Sequence, residues 1–82
     1  MGEPVAVTYF AALVDLTGRR TETFDVASRT VGELRSALAR RYPGTVAELA
    51  QLCVVLSGDA LLRRDDDVIG ARVDLLPPFA GG

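Results

Sequence analysis

The sequence predicts a single small α+β domain. Strand-type apolar runs open and close the chain, at residues 5–10 and 73–76. One amphipathic helix with clear start and stop signals lies between them, at residues 30–42. The length, 82 residues, leaves room for one core only. A domain this small buries about 60–65% of the surface its unfolded chain exposes, so that core is thin. Hydrophobic residues nevertheless make up 49% of the chain and charged ones 24%, the balance of a globular domain and not of a disordered tail.

Val5-Ala6-Val7-Thr8-Tyr9-Phe10 is β-branched and aromatic and is apolar on both faces except at Thr8, which suits a strand inside a sheet. Residues 11–16 fit a short helical turn, punctuated by Thr17-Gly18. Residues 21–26 alternate, with Glu22, Phe24 and Val26 on one face and Thr21, Thr23 and Asp25 on the other. Two of the first three are apolar, the mark of a half-buried strand. The two strands and their connection form a hairpin-like pair.

Thr30-Val31-Gly32-Glu33 is a capping box, in which Thr30 caps a helix and Glu33 reaches back. That helix carries Val31, Leu34, Ala37 and Leu38 on one face, followed by Arg41 or Tyr42, and Pro43-Gly44 stops it. Arg35, Arg40 and Arg41 are assigned to its outer face, where solvent and the negative end of the helix dipole suit them. A second box, Thr45-Val46-Ala47-Glu48, opens a shorter helix to about Gln51. Residues 52–56 are an apolar run of strand length. Ser57-Gly58-Asp59 is a turn, and Ala60-Leu61-Leu62 a short strand. Gly70 marks one more turn before the last strand, Val73-Asp74-Leu75-Leu76.

Composition removes much of the enzyme repertoire. The chain has no histidine and no lysine; all nine basic residues are arginine. Imidazole bases, histidine-ligated metals, Schiff bases and the lysine phosphate clamp are therefore absent from it. The single cysteine, Cys53, makes no internal disulfide, and its apolar run marks it as an inert small hydrophobe. Nine basic against eleven acidic residues give a net charge of −2, which argues against nucleic acid and anionic membrane as partners. The longest apolar run, residues 9–14, is far short of the roughly 18–20 residues that span a bilayer. Met1-Gly2-Glu3-Pro4 carries an acid where a secretion signal needs bases, and a cytoplasmic location is expected. Asp65-Asp66-Asp67 lacks the alternate spacing of a calcium loop and reads as a solvated turn screened by Arg63 and Arg64.

The ending, Pro77-Pro78-Phe79-Ala80-Gly81-Gly82, is the most informative segment. Prolines cannot donate ladder hydrogen bonds, so the sheet ends there, and two in succession favour an extended chain. Six extended residues reach about 20 Å, at roughly 3.3 Å each. We therefore divide the chain into a domain, residues 1–76, and an extended C-terminal tail, residues 77–82. Phe79 is an apolar anchor on that tail, and Gly81-Gly82 leaves no side chain beside the terminal carboxylate.

These residues carry a resemblance. The chain resembles the MoaD-like small subunit of molybdopterin synthase, in the ubiquitin-like sulfur carrier family. The likeness extends over nearly the whole chain: Tyr9-Phe10-Ala11, Leu16-Thr17-Gly18, Thr30-Val31-Gly32-Glu33-Leu34 and, most strongly, Val73-Asp74-Leu75-Leu76 with the Pro-Pro-x-x-Gly-Gly ending. Thiazole-forming carriers share the two glycines but usually lack the two prolines. One departure is Gly70-Ala71-Arg72, where the family commonly has an acidic Gly-Asp-Glu turn.

The resemblance implies a β-grasp fold: a mixed sheet of four to five strands holding one main helix, with a short second helix and a parallel pairing of first and last strands. It implies that Gly82 is the reacting residue, adenylated and then converted to a thiocarboxylate, with Pro77, Pro78, Phe79, Ala80 and Gly81 contacting partners. The implied partners are the large catalytic subunit of molybdopterin synthase, an adenylating enzyme resembling ubiquitin-activating enzymes, and a sulfur donor protein. No cofactor is expected on this chain, ATP being used by the adenylating partner, and no metal. The chain would be the non-catalytic subunit of the complex. A ubiquitin-like modifier conjugated through Gly82, a carrier for thiamine or cysteine synthesis, and a pure interaction module remain as alternatives.

Overall fold

The computed structural model describes residues 2–78. The elements run β1 (Glu3–Tyr9), α1 (Ala12–Thr17), β2 (Thr21–Val26), α2 (Val31–Arg41), α3 (Thr45–Ala50), β3 (Val54–Ser57), β4 (Ala60–Leu62) and β5 (Arg72–Leu76). The five strands form one mixed sheet in the order β2-β1-β5-β3-β4. β1 pairs antiparallel with β2 and parallel with β5, and β3 pairs antiparallel with both β5 and β4. A mixed sheet closed over one main helix is the β-grasp arrangement, and the parallel pairing of first and last strands is the one expected. The turn expected at residues 11–16 is a complete short helix.

The core follows from the alternation. Val5, Val7 and Tyr9 of β1, Phe24 and Val26 of β2, Val55 of β3, and Val73 and Leu75 of β5 are all buried. They meet Val31, Leu34, Ala37 and Leu38 of α2. Tyr42 packs against this cluster from the edge, while Arg41 stays exposed.

Thr30 caps α2 as expected, its hydroxyl accepting from the Glu33 N–H at 3.2 Å. The return bond is replaced, because the Thr30 N–H donates to the Ser28 carbonyl at 3.0 Å. The aspartate turn supplies the rest of the cap: the Val31 and Gly32 N–H groups donate to the carbonyls of Asp67 and Asp65 at 3.0 and 2.9 Å. These are N–H groups that a helix start leaves without partners. Gly32 is needed for this approach, since a Cβ there would lie 3.1 Å from Asp65.

Two expectations are corrected. The box at Thr45 does not form: Gly44, with φ +105°, is the N-cap of α3 and makes no side-chain cap bond. That left-handed glycine places Thr45 inside the first turn instead of before it. Arg35 is not on a solvated face. It is buried, with Nε donating to the Ala50 carbonyl at 2.9 Å, Nη2 to the Cys53 carbonyl at 2.9 Å, and Nη1 to Asp65 Oδ1 at 2.8 Å. The guanidinium thereby satisfies carbonyls at the junction of α3 and β3, a place where no regular ladder reaches them.

Arg35→Ala is expected to lower unfolding stability by about 2–4 kcal/mol, since it strands two carbonyls and removes charge-assisted bonds. Urea titration measures it. A loss under about 0.5 kcal/mol, typical of surface substitutions, would show the junction is held by other means.

Candidate functional site

The site is built on β5. Tyr9 of β1 lies beside Leu75 in parallel register, and Val55 and Val54 of β3 lie opposite Leu75 and Leu76. The last strand is therefore paired on both sides at Asp74 and Leu75, and its final residue, Leu76, is paired with β3 alone. Val73 and Leu75 point inward, at 2% and 0% exposure. Pro77 is also fully buried, and Pro78 is the first exposed residue after the strand. Pro77, placed in the tail by the sequence, is thus packed against the domain. Phe79, Ala80, Gly81 and Gly82, named from the sequence as the reacting and partner-contacting residues, lie outside the described residues.

The surroundings of the exit point are apolar and tightly turned. Phe10 follows the end of β1 and Leu52 precedes β3, and both are exposed large hydrophobics. Ala11, the N-cap of α1, has φ 55° and ψ −132°. An alanine in this region costs of the order of 1–3 kcal/mol, strain that the surrounding strands must hold in place. No sequence signal marked Ala11, because alanine carries no turn signature.

Cys53, next to the exit, is fully buried. Burial pushes its thiol up to about 11, and the Arg35 guanidinium offsets this only in part. It is a protonated packing residue, as its apolar run predicts.

A second buried charge lies at the other end of α2. Glu22 is on the inward face of β2, as the alternation places it, and is buried. Its Oε1 accepts from the hydroxyls of Tyr9 at 2.8 Å and Tyr42 at 2.5 Å, and Arg41 Nη1 lies 3.3 Å from Oε2. The Arg41 guanidinium also sits 5.6 Å over the Phe24 ring. Burial alone would push the Glu22 carboxyl up. The bonds from Tyr42 and Tyr9 and the charges of Arg41 and Arg19 outweigh it and hold the group below its usual range. Its signal in the sequence was a carboxylate at an inward strand position, which demands buried donors.

Among the described residues no cluster of histidine, cysteine, aspartate or glutamate is placed to hold a metal ion, and no helix is long and apolar enough to cross a membrane. The described residues thus end just after β5, at Pro78. The sequence profile of the ThiS family matches residues 7–82, nearly the whole chain and the tail with it. The chain belongs to the ThiS family. The ThiS family comprises ubiquitin-like sulfur carriers of the ThiS and MoaD type.

Solved structures agree. SAMP1 from Haloferax volcanii superposes with a TM-score of 0.69 at 28% identity, covering 96% of this chain and 99% of that one. A second structure of the H. volcanii small archaeal modifier protein 1 gives 0.67 at 30% identity, covering 94% and 99%. The small archaeal modifier protein 1 from Methanosarcina acetivorans has a TM-score of 0.73 over 100% and 99% of the chains, and at 17% identity it shares the fold. No curated protein sequence matches the chain.

The ordering by Glu22 has a pH signature. Its carboxyl is depressed in the folded state, so its contribution is fully present above the unfolded value, near 4.5, and is lost as pH falls through the lower folded value. Glu22→Gln is expected to cost about 1–3 kcal/mol at pH 7. The difference from wild type should close in acid, as pH falls past 4.5 and through the lower folded value. Thermal melts from pH 7 to pH 3 test this; a gap that persists unchanged through that range would contradict it.

Proposed function

We propose that the protein is a sulfur carrier that works through the carboxylate of Gly82, and that it serves as the small subunit of molybdopterin synthase. The observation that carries this reading is the root of the tail. β5 is paired on both edges, Pro77 is buried and Pro78 is exposed, so the five residues from Pro78 to Gly82 start from a fixed point. The Pro-Pro-x-x-Gly-Gly ending favours the molybdopterin branch of the family. Gly81 and Gly82 suit a narrow channel, because a backbone without Cβ approaches a partner's walls closely.

A carboxylate is a poor electrophile. In an adenylating partner it attacks the α-phosphorus of ATP; an oxygen–phosphorus bond forms, pyrophosphate leaves, and Gly82 becomes an acyl-adenylate. Hydrosulfide released by a sulfur donor then attacks the acyl carbon; a carbon–sulfur bond forms, the carbon–oxygen bond to AMP breaks, and the thiocarboxylate remains, which the large subunit uses to deliver sulfur to a pterin precursor. This chain contributes reach and placement. The acid–base groups come from its partners, consistent with a sequence free of histidine and lysine.

A second reading, a protein modifier joined through Gly82, is supported by the 30% identity to the H. volcanii modifier protein over 94% of this chain. The two share the adenylation step and differ in whether sulfur or an amine takes the acyl group.

Deleting Gly82 is expected to abolish ATP–pyrophosphate exchange with the host's adenylating enzyme, while circular dichroism and calorimetric affinity for the large subunit stay near wild type. One residue is about 3.3 Å of reach, and reacting atoms must come within about 3–3.5 Å. A truncated chain that supports exchange at the normal rate rules the mechanism out.

A further inference from the structure

An activated C-terminus endangers the chain that bears it. An acyl-adenylate or thioester at Gly82 is open to any amine, thiolate, phenolate or imidazole within reach. The new bond forms to the carbonyl carbon, the bond to AMP or thiol breaks, and the attacking group's proton passes to solvent. Every side chain of those types is missing from this protein, buried, or hydrogen-bonded to a carboxylate.

Among the 82 residues there is no lysine and no histidine. The nine arginines supply all the side-chain positive charge, and a guanidinium stays protonated at any working pH and offers no lone pair. Cys53 is 0% exposed and its thiol is held protonated by burial. Both tyrosines are spoken for. Tyr9 is buried, and Tyr9 and Tyr42 donate to the same Oε1 of Glu22, so each hydroxyl proton is committed to a carboxylate. Burial and that carboxylate push both phenols up. Serine and threonine hydroxyls need a base to attack an acyl group, and the chain has no imidazole to act as one. The Glu22 network, which holds β1, β2 and α2 together, thus also silences the two phenols.

We propose that the folded domain presents no side-chain nucleophile, so that neither its own activated C-terminus nor that of a second copy finds an acceptor side chain on it. The inference rests on the reading that Gly82 is activated, and it narrows that reading. As a carrier, the protein loses its acyl group to a sulfur donor, an exogenous nucleophile, an α-amino group or water, and to no side chain of its own. As a modifier, it forms single adducts on other proteins and builds no chains through its own side chains.

The test bypasses the natural activating enzyme, so failure of natural activation leaves its outcome unchanged. A Gly82 thioester of the full chain is prepared by intein cleavage with a small thiol and held at pH 8. Intact mass and peptide mapping follow its fate. The wild type is expected to hydrolyse to the free acid, with any adduct confined to the α-amino group. Arg40→Lys and Arg63→Lys introduce amines at exposed positions without changing charge, and are expected to raise covalent oligomers about tenfold or more. A side-chain adduct mapped to the folded wild type, on Cys53, either tyrosine or a hydroxyl, would overturn the proposal. So would lysine variants that form no more oligomer than wild type while free lysine in solution consumes the thioester.

Discussion

The structure depends on β5 being gripped from both sides. Its parallel pairing with β1 joins the two ends of the chain, and its antiparallel pairing with β3 brings in the second half of the sheet. Parallel neighbours need a long crossover, so everything between β1 and β5 is in effect the connection. α2 and the β3–β4 hairpin are arranged along it, with Leu75 fully buried at the centre. The burial of Pro77 extends that grip one residue beyond the ladder. In the proposed function, a tail that must meet a reacting atom within ångströms needs such a root, because any slack at its start is carried to its end.

Two buried charges hold the elements around that strand, and each is bonded to groups distant in sequence, with Glu22 Oε2 left to the Arg41 guanidinium alone. Arg35 bridges α2 to the end of α3, the start of β3 and the aspartate turn. Glu22 bridges β2 to β1 and to the end of α2 through two tyrosines. A buried pair broken on one side leaves an uncompensated charge, which is why such residues fix one arrangement of the elements in preference to near alternatives. In a core this thin, that specificity complements what apolar packing supplies.

Strand alternation at residues 21–26, the Thr30 cap and the apolar face of α2 were all legible, because each is a local pattern with a local cause. The bounds moved by a residue or two: the first strand begins at Glu3 and the third at Val54. Arg35 was misplaced because helical periodicity puts it off the apolar stripe, and only the tertiary approach of α3 and β3 turns that flank into interior. Thr45 failed as a cap because Gly44 takes a left-handed conformation that a four-residue motif does not encode. Pro77 looked like tail, since two prolines in a row signal an ending and say nothing of which ring packs inward. Of the candidate site, the paired strand was legible, while Gly81 and Gly82 lie outside the described residues. The root of the tail was not legible, since that depends on register across three strands.

In the proposed function, the domain's share of the chemistry is to place one carboxylate and to withhold competing side chains. The most direct measurement is the intact mass of the untagged protein recovered from cells that express its adenylating and sulfur-donating partners. The account predicts a population heavier by the exchange of one oxygen for one sulfur, located at Gly82 by fragmentation. A protein recovered only as the free acid, with no sulfur at Gly82 and no bond from Gly82 to another molecule, would contradict it.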